Sequence, residues 1–170
     1  MKKAFIIGHN EKAQGAYSEI LKVTEWGLYK SLTPELSELG DVYIHDASIG
    51  GYTARMKDTA SKINSQDYDL VVALHFNMFN GKALGCEALF ISEKGRVFGS
   101  NFCHYYTEST GTKNRGAKKV ERGGRGFEEI FNPKAPAILV EPFFGDSESD
   151  CKLFNKEKLI ESLNCLWKLN

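Results

Sequence analysis

The chain has 170 residues, 42% of them hydrophobic and 26% charged, with 22 Lys plus Arg balanced by 22 Asp plus Glu. That length is enough for one domain burying roughly 70% of its unfolded surface, and the even balance excludes a global field that would draw in nucleic acid or an anionic membrane. No stretch approaches the ~20 apolar residues of a membrane span, and the run after Lys2 and Lys3 is too short for a signal peptide. Cys86, Cys103, Cys151 and Cys165 show neither Cys-x-x-Cys nor zinc-finger spacing, which predicts free thiols.

Ala4 to Ile7 reads as a short buried strand, closed by Gly8 and followed at once by His9. Residues 10–18 are polar and contain Gly15, so a loop follows. From about Thr24, the spacing of Glu25, Leu28, Leu32, Leu36 and Leu39 is helical, with a break at Thr33-Pro34, where threonine would cap and proline would open a second helix. Gly40 ends it. Asp41 to Asp46 alternates as a second strand, and Tyr52 to Ser65 is a helix with Met56, Ala60 and Ile63 inward. Leu70-Val-Val-Ala-Leu74 is the strongest strand in the chain, five apolar residues that run into His75, Phe76 and Asn77. A loop over 78–84 leads to a strand over Gly85 to Ile91, and Val97 to about Thr110 is a helix with Phe98, Phe102 and Tyr105 on one side. Residues 111–126 read as a basic, glycine-rich loop with one short strand, and Phe127 to Phe131 as another strand. Ala137 to Phe144 is the last strong strand, carrying Glu141. Leu153 to Leu169 is a closing amphipathic helix. Strands alternating with helices predict a three-layer α/β sandwich on a mostly parallel sheet of about six strands.

Polar groups at the ends of buried strands are where α/β folds place their chemistry. If the strands ending at His9, His75 and Glu141 share one sheet with aligned ends, those three side chains meet. Histidine nitrogens and carboxylate oxygens are zinc donors, and hydrolytic zinc sites keep one position open for water. A further carboxylate can then act as general base. Glu25 and Glu19 compete for the third ligand position. Glu25 shares the core-facing side of its helix with Leu28 and Leu32, where a carboxylate needs a partner. Glu19 lies in an irregular stretch where a solvated carboxylate needs none, so we take Glu25 and keep Glu19 as its rival. A single histidine at a strand end is more often a packing group than a ligand, and His45 and His104 are read as incidental. Asn77 is a turn residue or a group that orients a ligand. The basic loop from Arg115 to Arg125 is a solvated surface or a loop brace, with a carboxylate-bearing substrate as the alternative. Glu141, embedded in an apolar run, suits proton transfer through a pKa shifted by burial.

The ordered set Gly8-His9, Gly15-Ala16, Glu25-Trp26-Gly27-Leu28, Arg55, Leu74-His75-Phe76-Asn77, Gly85-Cys86-Glu87, Asn114-Arg115-Gly116 and Pro136 to Gly145 resembles the zinc-dependent N-acetylmuramoyl-L-alanine amidases of bacterial autolysins and phage endolysins. The resemblance is collinear over nearly the whole chain. It departs from the family pattern at Asn10-Glu11, where glycines are usual, and at Gly145-Asp146-Ser147. It implies one catalytic zinc ion on His9, Glu25 and His75, with Glu141 as the catalytic carboxylate. The implied substrate is the amide between muramic acid and L-alanine of peptidoglycan. A zinc peptidase or carboxypeptidase acting within the stem peptide, or a binding module without turnover, are the alternatives. The further expectations are a monomeric, single catalytic domain over residues 1–170 without a wall-binding module. It would be made in the cytoplasm and act on the cell wall after release, as a phage or prophage lysin.

Overall fold

In the computed structural model, which describes residues 1–168, the first apolar run is strand β1 (Lys3–Ile7), buried along its whole length. A short hairpin of β2 (Tyr17–Ser18) and β3 (Val23–Thr24) then delivers the chain into helix α1 (Glu25–Ser31). Thr24 caps that helix, its Oγ1 accepting from the Gly27 N–H at 3.0 Å. Helix α2 (Thr33–Leu39) abuts α1 at Leu32, so the break expected at Thr33-Pro34 is present. Thr33 is not the cap, however: its hydroxyl donates back to the Lys30 carbonyl at 2.8 Å. Strand β4 (Asp41–Ile44), helix α3 (Tyr52–Ile63) and strand β5 (Leu70–Leu74) follow, with Met56, Ala60 and Ile63 all buried.

Strand β6 (Cys86–Phe90) leads to helix α4 (Glu93–Thr110), which starts earlier than its apolar pattern alone indicates because Ser92 caps it through the Gly95 N–H. Phe102, Cys103 and Tyr106 form the buried stripe of α4, so Tyr106 rather than Tyr105 faces the sheet. The basic segment contains strand β7 (Asn114–Lys119). Residues Phe127–Phe131 form a helix, α5, and not the expected strand. Phe127 and Ile130, three residues apart, share one face and are both buried, which only helical geometry allows. Strand β8 (Ala137–Glu141) is followed by α6 (Glu148–Leu153) and α7 (Lys156–Asn164). The closing helix expected from Leu153 is α7, which starts only at Lys156 because the Asn155 side chain caps it by accepting from the Lys158 N–H at 2.8 Å, and α6 before it is a helix that was not expected. The proposed end of that helix at Leu169 lies outside the described residues.

The main sheet has the order β4-β1-β5-β8-β6-β7, with β4, β1, β5 and β8 parallel to one another and β6 antiparallel to β8. One face carries Phe5, Ile7, Val72, Leu74, Ile138 and Val140 against α1, α2, α4 and α7; the other carries Ala4, Ile6, Val71, Ala73 and Leu139 against Ile63 and Ile130. The three-layer mixed α/β sandwich on a six-stranded, mostly parallel sheet is therefore as expected. Among the described residues no helix is long and apolar enough to cross a membrane.

Buried Asp150 in α6 ties the sheet's far side together, one oxygen accepting the backbone N–H groups of Gly85 at 2.8 Å and Phe144 at 2.9 Å. Asp150→Ala leaves two buried donors unpaired and is expected to cost about 2–5 kcal/mol. Asp150→Asn, which keeps an accepting oxygen, should cost less. Urea unfolding will show this as a lowered midpoint at constant slope.

Candidate active site

β1, β5 and β8 are neighbours in register at this end of the sheet, with Ile7 beside Leu74 and Leu74 beside Val140. His75 and Glu141, one residue on, and His9, two residues on, therefore gather at that end around a cavity of about 520 Å³. Two glycines make room for the imidazoles. A Cβ on Gly8 would come within 2.5 Å of His75 Cε1, and one on Gly15 within 2.5 Å of His9 Cδ2. His9 itself has φ of 68°, a backbone conformation uncommon outside glycine. Gly15 (φ 75°) turns the loop so that Ala16 meets Glu25. The Ala16 N–H donates to Glu25 Oε1 at 3.0 Å, and the Glu25 N–H donates to the Ala16 carbonyl at 3.0 Å.

Glu25 opens α1 with its other oxygen, Oε2, placed 3.2 Å from His9 Nε2 and 2.9 Å from His75 Nδ1. One donor atom from each of these three residues lies within 4.8 Å of the others. Glu19, the rival, is 79% exposed and pairs with Lys22 at 3.1 Å, away from the cluster. Burial pushes the Glu25 carboxyl up, but the hydrogen bonds and charge of His75 and His9 overcome it and hold the group at about 2. Two imidazole nitrogens and an ionised carboxylate oxygen, converging at this spacing, are a donor set that fits zinc.

A second group of charges lies beside it. Glu141 and Glu87 stand directly opposite each other on β8 and β6, a like-charged pair that is unfavourable by itself. Asn77 donates to both, to Glu87 at 3.1 Å and to Glu141 at 3.2 Å, so it orients carboxylates and not a histidine. Arg125 bridges the same two, its Nη2 at 2.8 Å from Glu87 Oε1 and its Nη1 on Glu141 Oε1. Arg115 and Lys118 complete the coverage of Glu87, each at 2.5 Å. The basic segment is thus a brace for buried carboxylates. Against the effect of burial, Lys118 and Arg115 hold Glu87 at about 2. Glu141 goes the other way: burial raises it to about 7, with Arg125 and His75 only partly offsetting that effect and Glu87 adding to it.

The structure also assembles residues that the sequence did not single out. Glu129 of α5, buried, accepts from His75 Nε2 at 2.8 Å and pairs with His45 Nε2 at 2.9 Å, while His45 Nδ1 meets Thr59 Oγ1 at 2.8 Å. His45, read as incidental, is 2% exposed and belongs to this chain of contacts. The strand before it is short and only half-buried, so the sequence gives His45 no apolar setting like those of His9 and His75. His104 is exposed, as an incidental residue would be.

A family model described as N-acetylmuramoyl-L-alanine amidase matches residues 5–164. The chain belongs to that family. Solved structures agree with it in fold. The catalytic domain of the CD27L endolysin, which targets Clostridia difficile, is 27% identical, with 98% of this chain and 93% of that one covered at a TM-score of 0.76. The CwlD amidase of Clostridioides difficile, solved in complex with the GerS lipoprotein, is 19% identical over 98% and 96% of the two chains at 0.79. The catalytic domain of the amidase CwlV from Bacillus (Paenibacillus) polymyxa is 17% identical over 98% and 96% at 0.75. No curated protein matches the chain.

Two outcomes test this geometry. Gly8→Ala forces the added methyl group against His75 and the Leu74 carbonyl, and is expected to lower stability by about 1–3 kcal/mol in thermal unfolding. For Glu141, a folded pKa raised from 4.5 to about 7 means that the native state binds the extra proton between those values. Its contribution is complete below about pH 4.5 and lost as pH rises through 7. In metal-free protein, Glu141→Gln should therefore gain on the parent between pH 5 and pH 8, by up to about 3 kcal/mol. Paired denaturation curves at the two pH values read the difference.

Proposed function

We propose that this chain hydrolyses the amide between the muramic acid lactyl group and L-alanine of peptidoglycan stem peptides. One zinc ion would be held by His9, Glu25 and His75, and protons would be carried by Glu141. The observation that carries the reading is the convergence of three donor atoms within 4.8 Å of one another in a cavity that Glu141 also lines. Membership of the amidase family supports the peptidoglycan amidase class. When bound, zinc would supply Lewis-acid polarisation of the scissile carbonyl and acidify a water molecule.

The chain's own side chains do the rest. Glu141, with its pKa near neutrality, is suited to take a proton from the attacking water and return it to the leaving amine nitrogen. Asn77 and Arg125 fix the direction of its carboxylate, so the proton acceptor keeps one position through the reaction. Tyr29, fully buried, donates to the His75 carbonyl at 2.5 Å and steadies the end of β5 beneath the site. We assign the role of phage or prophage lysin acting on the cell wall, which the 27% identity to an endolysin catalytic domain supports.

Zinc-loaded protein incubated with purified peptidoglycan should release fragments bearing new L-alanine amino termini on intact glycan chains, read by mass spectrometry and end labelling. New termini inside the peptide would place the scissile bond there and make the protein a peptidase. No product from zinc-loaded protein would overturn the catalytic reading. Glu141→Ala should retain zinc and lose about 100- to 10,000-fold in kcat. His75→Ala should lose the metal itself.

A further inference from the structure

His75 presents two nitrogens, and carboxylates occupy both. Nδ1 faces Glu25 Oε2, the oxygen shared with His9, at 2.9 Å; Nε2 faces Glu129 Oε2 at 2.8 Å on the opposite side of the ring. An imidazole can offer a lone pair to a metal from one nitrogen only when the other carries the hydrogen. A carboxylate on the second nitrogen fixes which is which and sets the plane of the ring.

Glu129 is itself held in place. It is 4% exposed, its other oxygen lies 2.9 Å from His45 Nε2, and His45 Nδ1 is fixed by Thr59 Oγ1 at 2.8 Å. The elements that contribute are distinct: Thr59 comes from α3, His45 from the end of β4, Glu129 from α5 and His75 from the end of β5. A four-membered chain from as many segments, closed at both oxygens of its carboxylate, leaves Glu129 no freedom to rotate away.

We propose that Glu129, clamped by His45 and Thr59, is a positioning residue for the metal centre: it accepts the Nε2 hydrogen of His75 and so directs the Nδ1 lone pair toward Glu25 and His9. The proposal rests on the reading of His9, Glu25 and His75 as a zinc site. Glu129 touches neither substrate nor metal in this role, and acts through His75. The competing account is a buried carboxylate and histidine that serve folding alone, as buried pairs do elsewhere.

The test measures zinc affinity by chelator competition and the state of the His75 ring by nitrogen-15 NMR of zinc-loaded protein. Glu129→Ala should bind zinc about 10- to 100-fold more weakly. Glu129→Gln, whose amide oxygen still accepts from Nε2, should fall between it and the parent. His45→Ala should weaken zinc less than Glu129→Ala, since it loosens the carboxylate without removing it. In the parent, His75 should show a slowly exchanging Nε2–H, and Glu129→Ala should lose that protection. If Glu129→Ala does not fold, Glu129→Gln decides alone, with circular dichroism and thermal unfolding as the check on its fold. Zinc affinity and ring signals equal to the parent's in a folded Glu129 variant would overturn the positioning role and leave the zinc site standing. A parent that binds no zinc, or a His75→Ala variant that keeps it, would bring down the zinc site and the positioning role together.

Discussion

Everything in this site depends on the register of three parallel strands. Ile7, Leu74 and Val140 stand side by side on β1, β5 and β8; His75 and Glu141 come one residue later and His9 two. Because alternate residues of a strand face opposite sides, a slip of one position would turn Glu141 to the wrong layer and bring an apolar side chain to the cavity. The register is in turn held by burial. Each of the three strands is buried throughout, with side chains packed into apolar clusters on both faces, so a slipped sheet would lose both clusters at once. Packing thus sets where the polar groups of the site stand.

Four buried carboxylates gather at this end of the sheet: Glu25, Glu87, Glu129 and Glu141. A neutral total charge conceals how unevenly the partners are distributed. Glu25 and Glu129 are matched by histidines, and Glu87 by Arg115, Lys118 and Arg125. Those three are held below the usual carboxylate range despite their burial. Glu141 shares one half-exposed arginine with Glu87 and has no cation to itself, so burial prevails and its proton is retained to about pH 7. Groups of one chemical type acquire different roles because their surroundings drive their pKa values apart.

The elements legible in the sequence were those whose signal is local. Leu70–Leu74 and Ala137–Glu141 announce themselves as buried strands, and Gly8 and Gly15 mark places where a side chain will not fit. Glu25 could be preferred to Glu19 from helix periodicity, and the structure puts it beside His9 and His75 and leaves Glu19 in solvent. What was not legible depends on partners far along the chain. His45 follows a half-buried edge strand with no long apolar run, so nothing nearby distinguishes it; its partner Glu129 is 84 residues away. The Phe127–Phe131 segment is five residues long, too short for periodicity to separate helix from strand with assurance, although Phe127 and Ile130 already have helical spacing. The role of Asn77 was open for the same reason, since the carboxylates it joins come from two other strands.

One short segment connects the two halves of the site. Arg125 reaches the pair Glu87 and Glu141, and Glu129, four residues later, reaches the pair His45 and His75. Between them lies Gly126, in the left-handed region at φ 71°, where an added Cβ would come within 2.6 Å of Leu139 Cδ1 on β8. Glycine is therefore required twice over at this position, by the turn and by the contact. Since the turn rests on the strand that carries Glu141, the sheet fixes where α5 begins and which way Arg125 extends. His9 and His75 follow the ends of β1 and β5 and Glu25 opens α1, but Glu129 and Arg125, which contact His75 and Glu141, come together from this glycine-flanked segment. The contacts made to His75 and to Glu141 thus share one backbone turn, and a change that shifts the turn at Gly126 acts on both at once.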